Sequence, residues 1–387
     1  MQPSSHRNPL RGVVERPDAR AKPLSLHRRL PGYEPTPLRS APGLAELLGV
    51  ADVLVKDEAS RLGLPAFKML GASWASYRSL VERLGRDPDE PEPWRDVAEL
   101  ADRLAPLQPL TLATATDGNH GRAVARFARL LGFAADIWVP AGTVQARIDA
   151  VEGEGASVTV VEGGYDDAVR AAAAAADDHT LVVSDTSWPG YEVVPQWVVD
   201  GYGTIFDEID DQLAARGAPD PDVVLVPVGV GAFAAAVVTH FRRPHRGEPL
   251  LVGVEPVDAA CVAESALAGE LVTLDGGQRS IMAGLNCGTP SPVAWPLVSA
   301  GMDWFVTVDD DQARQAMRDL ASAGIVSGES GAASLAGAVQ LGHDTGDEVV
   351  RPDATVLLLS TEGATDPVAY EQIVGRPPEA VATVAVG

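Results

Sequence analysis

Short runs of β-branched and aliphatic residues recur along this chain, each followed by a stretch of helical character, and that alternation constrains the fold more than any other feature. The runs include Val53–Val55, Leu110–Ala113, Asp136–Val139, Val158–Val161, Val223–Val226 and Thr355–Leu359. Between them, Tyr77–Leu84, His120–Leu131, Val144–Val151, Asp166–Ala176 and Gln312–Ala323 read as helices. Alternation of this kind is how a chain builds parallel sheets covered by helices. The expectation is an α/β protein with open, twisted, mainly parallel sheets flanked by helices. The alanine run Ala171–Ala176 belongs to a helix, since alanine has the best helical propensity.

A chain of 387 residues can build a large core, and its length favours two domains or one large one. The polar, Pro-rich stretch Arg86–Trp94 and the break Trp188-Pro189-Gly190 are the candidate boundaries. They set a large domain of residues 1–80 and 190–387 against a small domain of residues 81–189. Residues 1–30 carry Arg7, Arg11, Arg16, Arg20, Lys22, Arg28 and Arg29 against Glu15 and Asp18, and read as a solvated basic arm. Elsewhere the chain is acidic. A formal net charge of −24 argues against nucleic-acid binding, which basic patches drive. No apolar stretch follows the N-terminal charges and no run long enough to span a bilayer occurs, so no membrane association and a cytoplasmic location are expected. Cys261 and Cys287 form no zinc motif with the scattered histidines, and no metal is expected. Two buried thiols are favoured for these cysteines; a disulfide stays open on geometry.

The chain holds only three lysines, Lys22, Lys56 and Lys68, among 30 basic residues. Compositional bias toward arginine accounts for the scarcity, yet arginine cannot form an imine, so a lysine needed for one has to remain. Lys22 lies in the basic arm. Lys56 opens Lys56-Asp57-Glu58 and reads as a partly exposed ion pair. Lys68 stands in Ala66-Phe67-Lys68-Met69-Leu70-Gly71, between a Gly/Pro loop and a helix, where apolar neighbours would desolvate its amine and lower its pKa. A snorkelling surface lysine is the competing reading of that pattern.

Three further loops follow strands. Thr114-Ala115-Thr116-Asp117-Gly118-Asn119-His120-Gly121 runs into a helix, with Asp117 or Asn119 as either a helix cap or a ligand contact. Pro227-Val228-Gly229-Val230-Gly231-Ala232-Phe233-Ala234 offers backbone amides to a phosphate. The same segment matches the dinucleotide fingerprint, and Glu255 lies where a ribose-binding acid belongs, so a nicotinamide dehydrogenase built on Gly229, Gly231 and Glu255 is a competing reading. Ser360-Thr361-Glu362-Gly363-Ala364-Thr365-Asp366 places hydroxyls at a strand's C-terminal end.

Taken in this order, the four segments resemble the fold type II pyridoxal-phosphate enzymes, the group of the tryptophan synthase β-subunit and threonine dehydratase. The resemblance implies two sheets with pyridoxal 5′-phosphate in the cleft between a large and a small domain. It places the imine on Lys68 of the Phe67-Lys68 pair and Asn119 against the cofactor O3′. It assigns the phosphate to Gly229, Val230, Gly231, Ala232 and Phe233, although Val230, Ala232 and Phe233 depart from the usual run of glycines. Ser360, with Thr361 as second choice, would face the pyridine nitrogen.

Several segments are similar to the diaminopropionate ammonia-lyases in particular: Lys56-Asp57-Glu58, Thr116-Asp117-Gly118-Asn119-His120-Gly121-Arg122, Asp185-Thr186-Ser187-Trp188-Pro189-Gly190-Tyr191-Glu192, Gly201-Tyr202-Gly203-Thr204, Met282-Ala283-Gly284-Leu285-Asn286-Cys287-Gly288 and Ser360-Thr361-Glu362-Gly363. That likeness implies α,β-elimination of 2,3-diaminopropionate, a small amino acid, to pyruvate and two ammonia, by a homodimer. Asp117 stands where dehydratases of hydroxy amino acids carry a small residue. It is the candidate to attract the substrate's β-ammonium and to take a proton on the face opposite Lys68, alongside substrate contacts from Thr116, Gly118 and His120. Asp185 is a second candidate for the β-ammonium, or else a helix cap. The nearest alternative is a serine or threonine dehydratase of the same fold.

Overall fold

Two sheets, both mainly parallel, carry the structure, as the spacing of the apolar runs predicts. The chain is described here from a computed structural model that covers residues 2–14, 22–90, 93–243 and 247–382. Its strands are β1 (Ser4–Arg7), β2 (Leu38–Ser40), β3 (Asp52–Asp57), β4 (Thr111–Ala115), β5 (Ala134–Pro140), β6 (Ser157–Val161), β7 (Thr180–Val182), β8 (Val223–Pro227), β9 (Leu250–Pro256), β10 (Trp304–Val308) and β11 (Thr355–Ser360). One sheet runs β1-β10-β9-β8-β11-β3-β2 and the other β6-β5-β4-β7. Among the described strands, only the edge strands β1 and β2 pair antiparallel. β8 is buried along its whole length, which is why its sequence is apolar without alternation.

The small sheet lies wholly within residues 81–189. The boundary at residue 80, however, cuts the helix Met69–Arg83. Sequence periodicity finds only the second half of that helix. Its first half holds Gly71, Ala72, Ser73 and Ala75, small because the helix crosses Val193–Gly201 backbone to backbone. A Cβ on Gly201 would lie 2.6 Å from the Leu70 carbonyl oxygen, and one on Gly71 would lie 2.7 Å from the Tyr202 ring. The crossing seats Tyr202 beside Phe67 and so fixes where Lys68 begins its helix.

The helix Glu329–Thr345 escapes sequence periodicity for a related reason. It is rich in Gly, Ala and Ser and is buried along most of its length. A Cβ on Gly337 would lie 2.4 Å from Val254, so the helix rests directly on β9.

Where it is described, the basic arm keeps Arg7, Arg11, Lys22 and Arg28 exposed but packs its backbone and apolar residues onto the body. Ser4–Arg7 adds a strand to the edge of β10, and the Asn8 side-chain amide donates to the carbonyls of Met302 at 2.7 Å and Ser299 at 2.8 Å. Leu26 and His27 are fully buried, with His27 bonded to Thr204 and to the Leu70 carbonyl. An otherwise open sheet edge gains a partner this way. Arg16 and Arg20 lie outside the described residues.

Lys56 also departs from expectation, being fully buried rather than partly exposed. Its ammonium donates to Glu208 at 2.8 Å, and Arg61 bridges Glu208 at 2.6 Å and Glu58 at 2.7 Å. Burial alone would raise the Glu208 pKa, but Arg61 and Lys56 bring it down to about 2. The stabilisation is therefore full above the ordinary glutamate value and fades as the pH falls through the acid range. This cluster anchors the loop that leads to Lys68. Arg61→Met would leave two carboxylates buried beside a single ammonium. We expect it to lower the unfolding free energy by about 3–5 kcal/mol, measured by urea denaturation.

Candidate active site

The loops after β3, β4, β7, β8 and β11 all leave the C-terminal ends of parallel strands, where open α/β sheets bind ligands. They close around one cavity between the two sheets. Phe67, Lys68, Asp117, Asn119, Asp185, residues 229–233 and Thr361 all stand on its wall. Five segments far apart in the chain are thus brought together.

Lys68 Nζ donates to Asp185 Oδ2 at 2.7 Å, and Tyr165 Oη donates to Asp185 Oδ1 at 2.9 Å. Desolvation does press the Lys68 pKa downward, as its apolar neighbours predict. The Asp185 carboxylate outweighs it and holds Lys68 above its ordinary value. Asp185, despite its burial, is held well below the usual carboxylate range by Lys68. It caps no helix, for the next one begins at Val193.

Asp117 behaves oppositely. Burial pushes its carboxyl up to about 6, Arg147 and Lys68 pull it back, and Asp185 and Glu362 add to the rise. Two carboxylates in one site with pKa values driven apart are the mark of divided acid–base roles. Neither Asp117 nor Asn119 caps the helix Asn119–Leu131, whose N-terminus has no side-chain hydrogen bond. Gly118 takes φ +146°, which side-chain-bearing residues rarely adopt. Its amide donates to Thr116 Oγ1 at 2.9 Å, tying the turn that carries Asp117 between them.

Three expected contacts fall behind the wall. Thr116 is 1 % exposed and serves that turn; Gly118 is buried against Arg147. His120 is buried with Nε2 donating to the Val183 carbonyl at 2.8 Å, and burial lowers its pKa. These three shape the site from beneath rather than facing its contents. Ser360 is likewise enclosed, donating to Ser327 Oγ at 2.8 Å, so of the two expected hydroxyls Thr361 is the one on the cavity wall.

The cavity suits pyridoxal 5′-phosphate by its own chemistry. Among the described residues no protein acceptor takes the amides of residues 229–234, and no side chain caps the helix Ala232–Phe241 that they open. Six free amides at a buried helix N-terminus make a phosphate cradle. Phe67, whose ring lies 4.7 Å from Tyr202 and 4.4 Å from Phe233, closes one side. The dehydrogenase reading does not hold, because both oxygens of Glu255 accept the Val262 and Ala263 amides at 2.8 and 2.7 Å. Glu255 lies at the end of β9, ties down the first turn of the helix Cys261–Ala268 and is fully buried. A Cβ on Gly229 would lie 3.1 Å from the Gly284 carbonyl and 3.2 Å from Cys287 Sγ. Gly229→Val is therefore expected to weaken cofactor binding by about tenfold or more, measured by fluorescence titration of the apoenzyme.

Sequence reasoning missed Tyr165, Tyr202, Arg147 and Glu362. Tyr165 opens a helix with no motif around it. Tyr202 stands inside the quoted Gly201-Tyr202-Gly203-Thr204 segment, fully buried beside Phe67 with Lys68 close enough to act on its hydroxyl. Arg147 donates to the Asp117 carbonyl at 3.4 Å from the mouth of the cleft. Both cysteines are buried free thiols, and Cys287 lines the cavity.

Residues 29–362 match the family model described as pyridoxal-phosphate dependent enzyme. The chain is 37 % identical over 370 residues to the diaminopropionate ammonia-lyase of Escherichia coli strain K12, covering 92 % of this chain and 91 % of that one. The crystal structure of the Escherichia coli enzyme in complex with D-serine superposes with a TM-score of 0.87 at 34 % identity, covering 96 % of this chain and 97 % of that one. A second, in complex with an aminoacrylate–PLP azomethine reaction intermediate, gives a TM-score of 0.85 at 34 % identity over 97 % of both chains.

Proposed function

The chain belongs to the pyridoxal-phosphate dependent enzyme family, and from that premise we propose that it is a lyase eliminating ammonia from 2,3-diaminopropionate. Its cofactor is pyridoxal 5′-phosphate. One water enters, and pyruvate and two ammonia leave. The observation that carries the reading is the meeting of Lys68, Asp117 and Asp185 on one cavity wall. When bound, the cofactor supplies an electron sink for the negative charge that develops at the substrate Cα.

The protein supplies attachment, orientation and protons. The amides of residues 229–234 would hold the phosphate, Asn119 would contact O3′ and Thr361 would offer an uncharged hydroxyl to the pyridine nitrogen. An uncharged partner leaves the ring a weaker sink than a paired carboxylate would, which suits elimination. Lys68 carries the cofactor and, once its amine is released, takes the Cα proton on one face of the substrate. Asp185 keeps that amine in place through the 2.7 Å contact. Asp117 attracts the β-ammonium, which serine and threonine lack, and takes the Cα proton of the opposite enantiomer. Expulsion of the β-nitrogen as ammonia releases 2-aminoacrylate, whose hydrolysis gives pyruvate and the second ammonia.

The test is turnover of each enantiomer of 2,3-diaminopropionate against serine and threonine, followed by pyruvate release. Diaminopropionate is expected to be the best substrate by kcat/KM; a preference for threonine would make the protein a dehydratase. The reading extends to a cytoplasmic homodimer, supported by the family resemblance and checked by light scattering. Among the described residues no helix is long and apolar enough to cross a membrane.

A further inference from the structure

Glu362 lies on the cavity wall yet has no part in the chemistry above. It is 1 % exposed, and both oxygens of its carboxylate are used. Oε1 accepts the Ser330 amide at 3.0 Å, at the start of the helix Glu329–Thr345. Oε2 accepts the Asn119 side-chain amide at 2.5 Å. The backbone of Glu362 forms an antiparallel bridge with Ala66, flanked by Phe67 N–H to Thr361 O at 3.2 Å and Gly363 N–H to Pro65 O at 2.9 Å. One residue therefore touches the loop that carries Lys68, the turn that carries Asn119 and a helix N-terminus. Asn119 follows a strand of the small sheet and Glu362 a strand of the large one, so their hydrogen bond spans the gap that holds the cofactor.

The chemistry of this pair settles an orientation. A side-chain amide rotates readily about its terminal torsion, and its oxygen and nitrogen ends are nearly the same shape. A carboxylate offers lone pairs alone, so Asn119 must turn its NH₂ toward Glu362. With Oε1 held by a backbone amide, the carboxylate itself cannot swing away. The contact is charge-assisted and buried, which makes it stronger than a neutral pair. Asn119 is left with one N–H and its carbonyl oxygen for the cavity.

We propose that Glu362 is a positioning residue for the cofactor, locking the Asn119 amide across the two sheets so that the same atoms always face inward. The inference rests on the reading of Asn119 as a cofactor contact. In Glu362→Gln the new NH₂ meets the NH₂ of Asn119, donor against donor, and the Asn119 amide has to turn over. The holoenzyme variants Asn119→Ala, Glu362→Gln and the double variant are compared by cofactor dissociation constant, by the wavelength of the visible cofactor band and by thermal unfolding of the apoprotein. Glu362→Gln should raise the dissociation constant about tenfold and displace the band, with the apoprotein melting close to wild type. Asn119→Ala should do the same, and adding Glu362→Gln to it should change neither quantity further.

If Asn119→Ala leaves constant and band at their wild-type values, the cofactor reading of Asn119 fails and the inference falls with it. If Asn119→Ala changes them but Glu362→Gln does not, or the two effects add, Glu362 is overturned while the site reading stands. Should Glu362→Gln not fold, the exchanged pair Asn119→Asp with Glu362→Gln restores the bond with donor and acceptor reversed. It should fold and carry a displaced band, and a wild-type band in that protein would overturn the proposal.

Discussion

Lys68→Ala should abolish covalent attachment of pyridoxal phosphate and lower turnover of 2,3-diaminopropionate by roughly 10⁴-fold, the upper range for a side chain that serves as general base. Borohydride treatment followed by mass spectrometry reads the first effect: the wild-type peptide containing Lys68 gains the cofactor's mass, and the variant peptide does not. Alanine also strips the buried Asp185 carboxylate of its 2.7 Å partner, so part of any loss could be structural. Lys68→Arg separates the two. A guanidinium keeps the charge beside Asp185 yet cannot form the carbon–nitrogen link. It should fold like wild type and remain inactive. Lys56→Met provides the reverse control, because Lys56 is buried against Glu208 and out of the cavity. It should lose stability and retain the link. Covalent labelling of Lys56 or Lys22 in the wild type would overturn the assignment.

The path to Lys68 shows which parts of the structure were legible in the chain. The sheets could be read because buried parallel strands are apolar on both faces, as at β8 and β11. The four loops could be read because each breaks a strand–helix unit with small or polar residues. Helices built on close backbone approach could not be. Met69–Arg83 at Gly71 and Glu329–Thr345 at Gly337 replace the apolar stripe with glycine and alanine, so periodicity dissolves where packing is tightest. Charged residues misled in another way. Lys56 looked like a surface ion pair because its partner Glu208 is 152 positions away, a separation at which no local pattern operates. Lys68 looked desolvated and low in pKa because Asp185, 117 positions on, reverses the effect of burial. Side-chain roles set by one long-range partner are invisible until the fold supplies it, and Tyr165 and Glu362 belong to the same class.

Asp117→Ala should leave the cofactor band in place and still lower kcat/KM for 2,3-diaminopropionate by about 10²–10⁴-fold, the range for loss of a positioned base. Two functions meet in this carboxylate, and the substrates separate them. Loss of attraction for the β-ammonium should weaken both enantiomers. Loss of the base should fall mainly on the enantiomer whose Cα proton points away from Lys68. Serine, which has no β-ammonium, should lose less than diaminopropionate does. Full activity of Asp117→Ala on both enantiomers would remove Asp117 from the mechanism. The pH profile gives an independent reading. Burial pushes the Asp117 carboxyl up to about 6, against the pull of Arg147 and Lys68. The reactive form is the carboxylate, so activity is full above that value and declines as the pH falls through it, giving an acid limb near pH 6. Titration of the substrate's own amines is common to every variant, so the limb that moves with residue 117 belongs to the enzyme. Asp117→Glu keeps a carboxylate on a longer arm and should retain the limb at a shifted midpoint, whereas Asp117→Asn should be slow at every pH. A carboxyl poised this way gains its use from the same burial that raises its pKa: the site can hold a cationic β-substituent only where water does not compete for it, and that exclusion of water is what makes Asp117 reluctant to ionise.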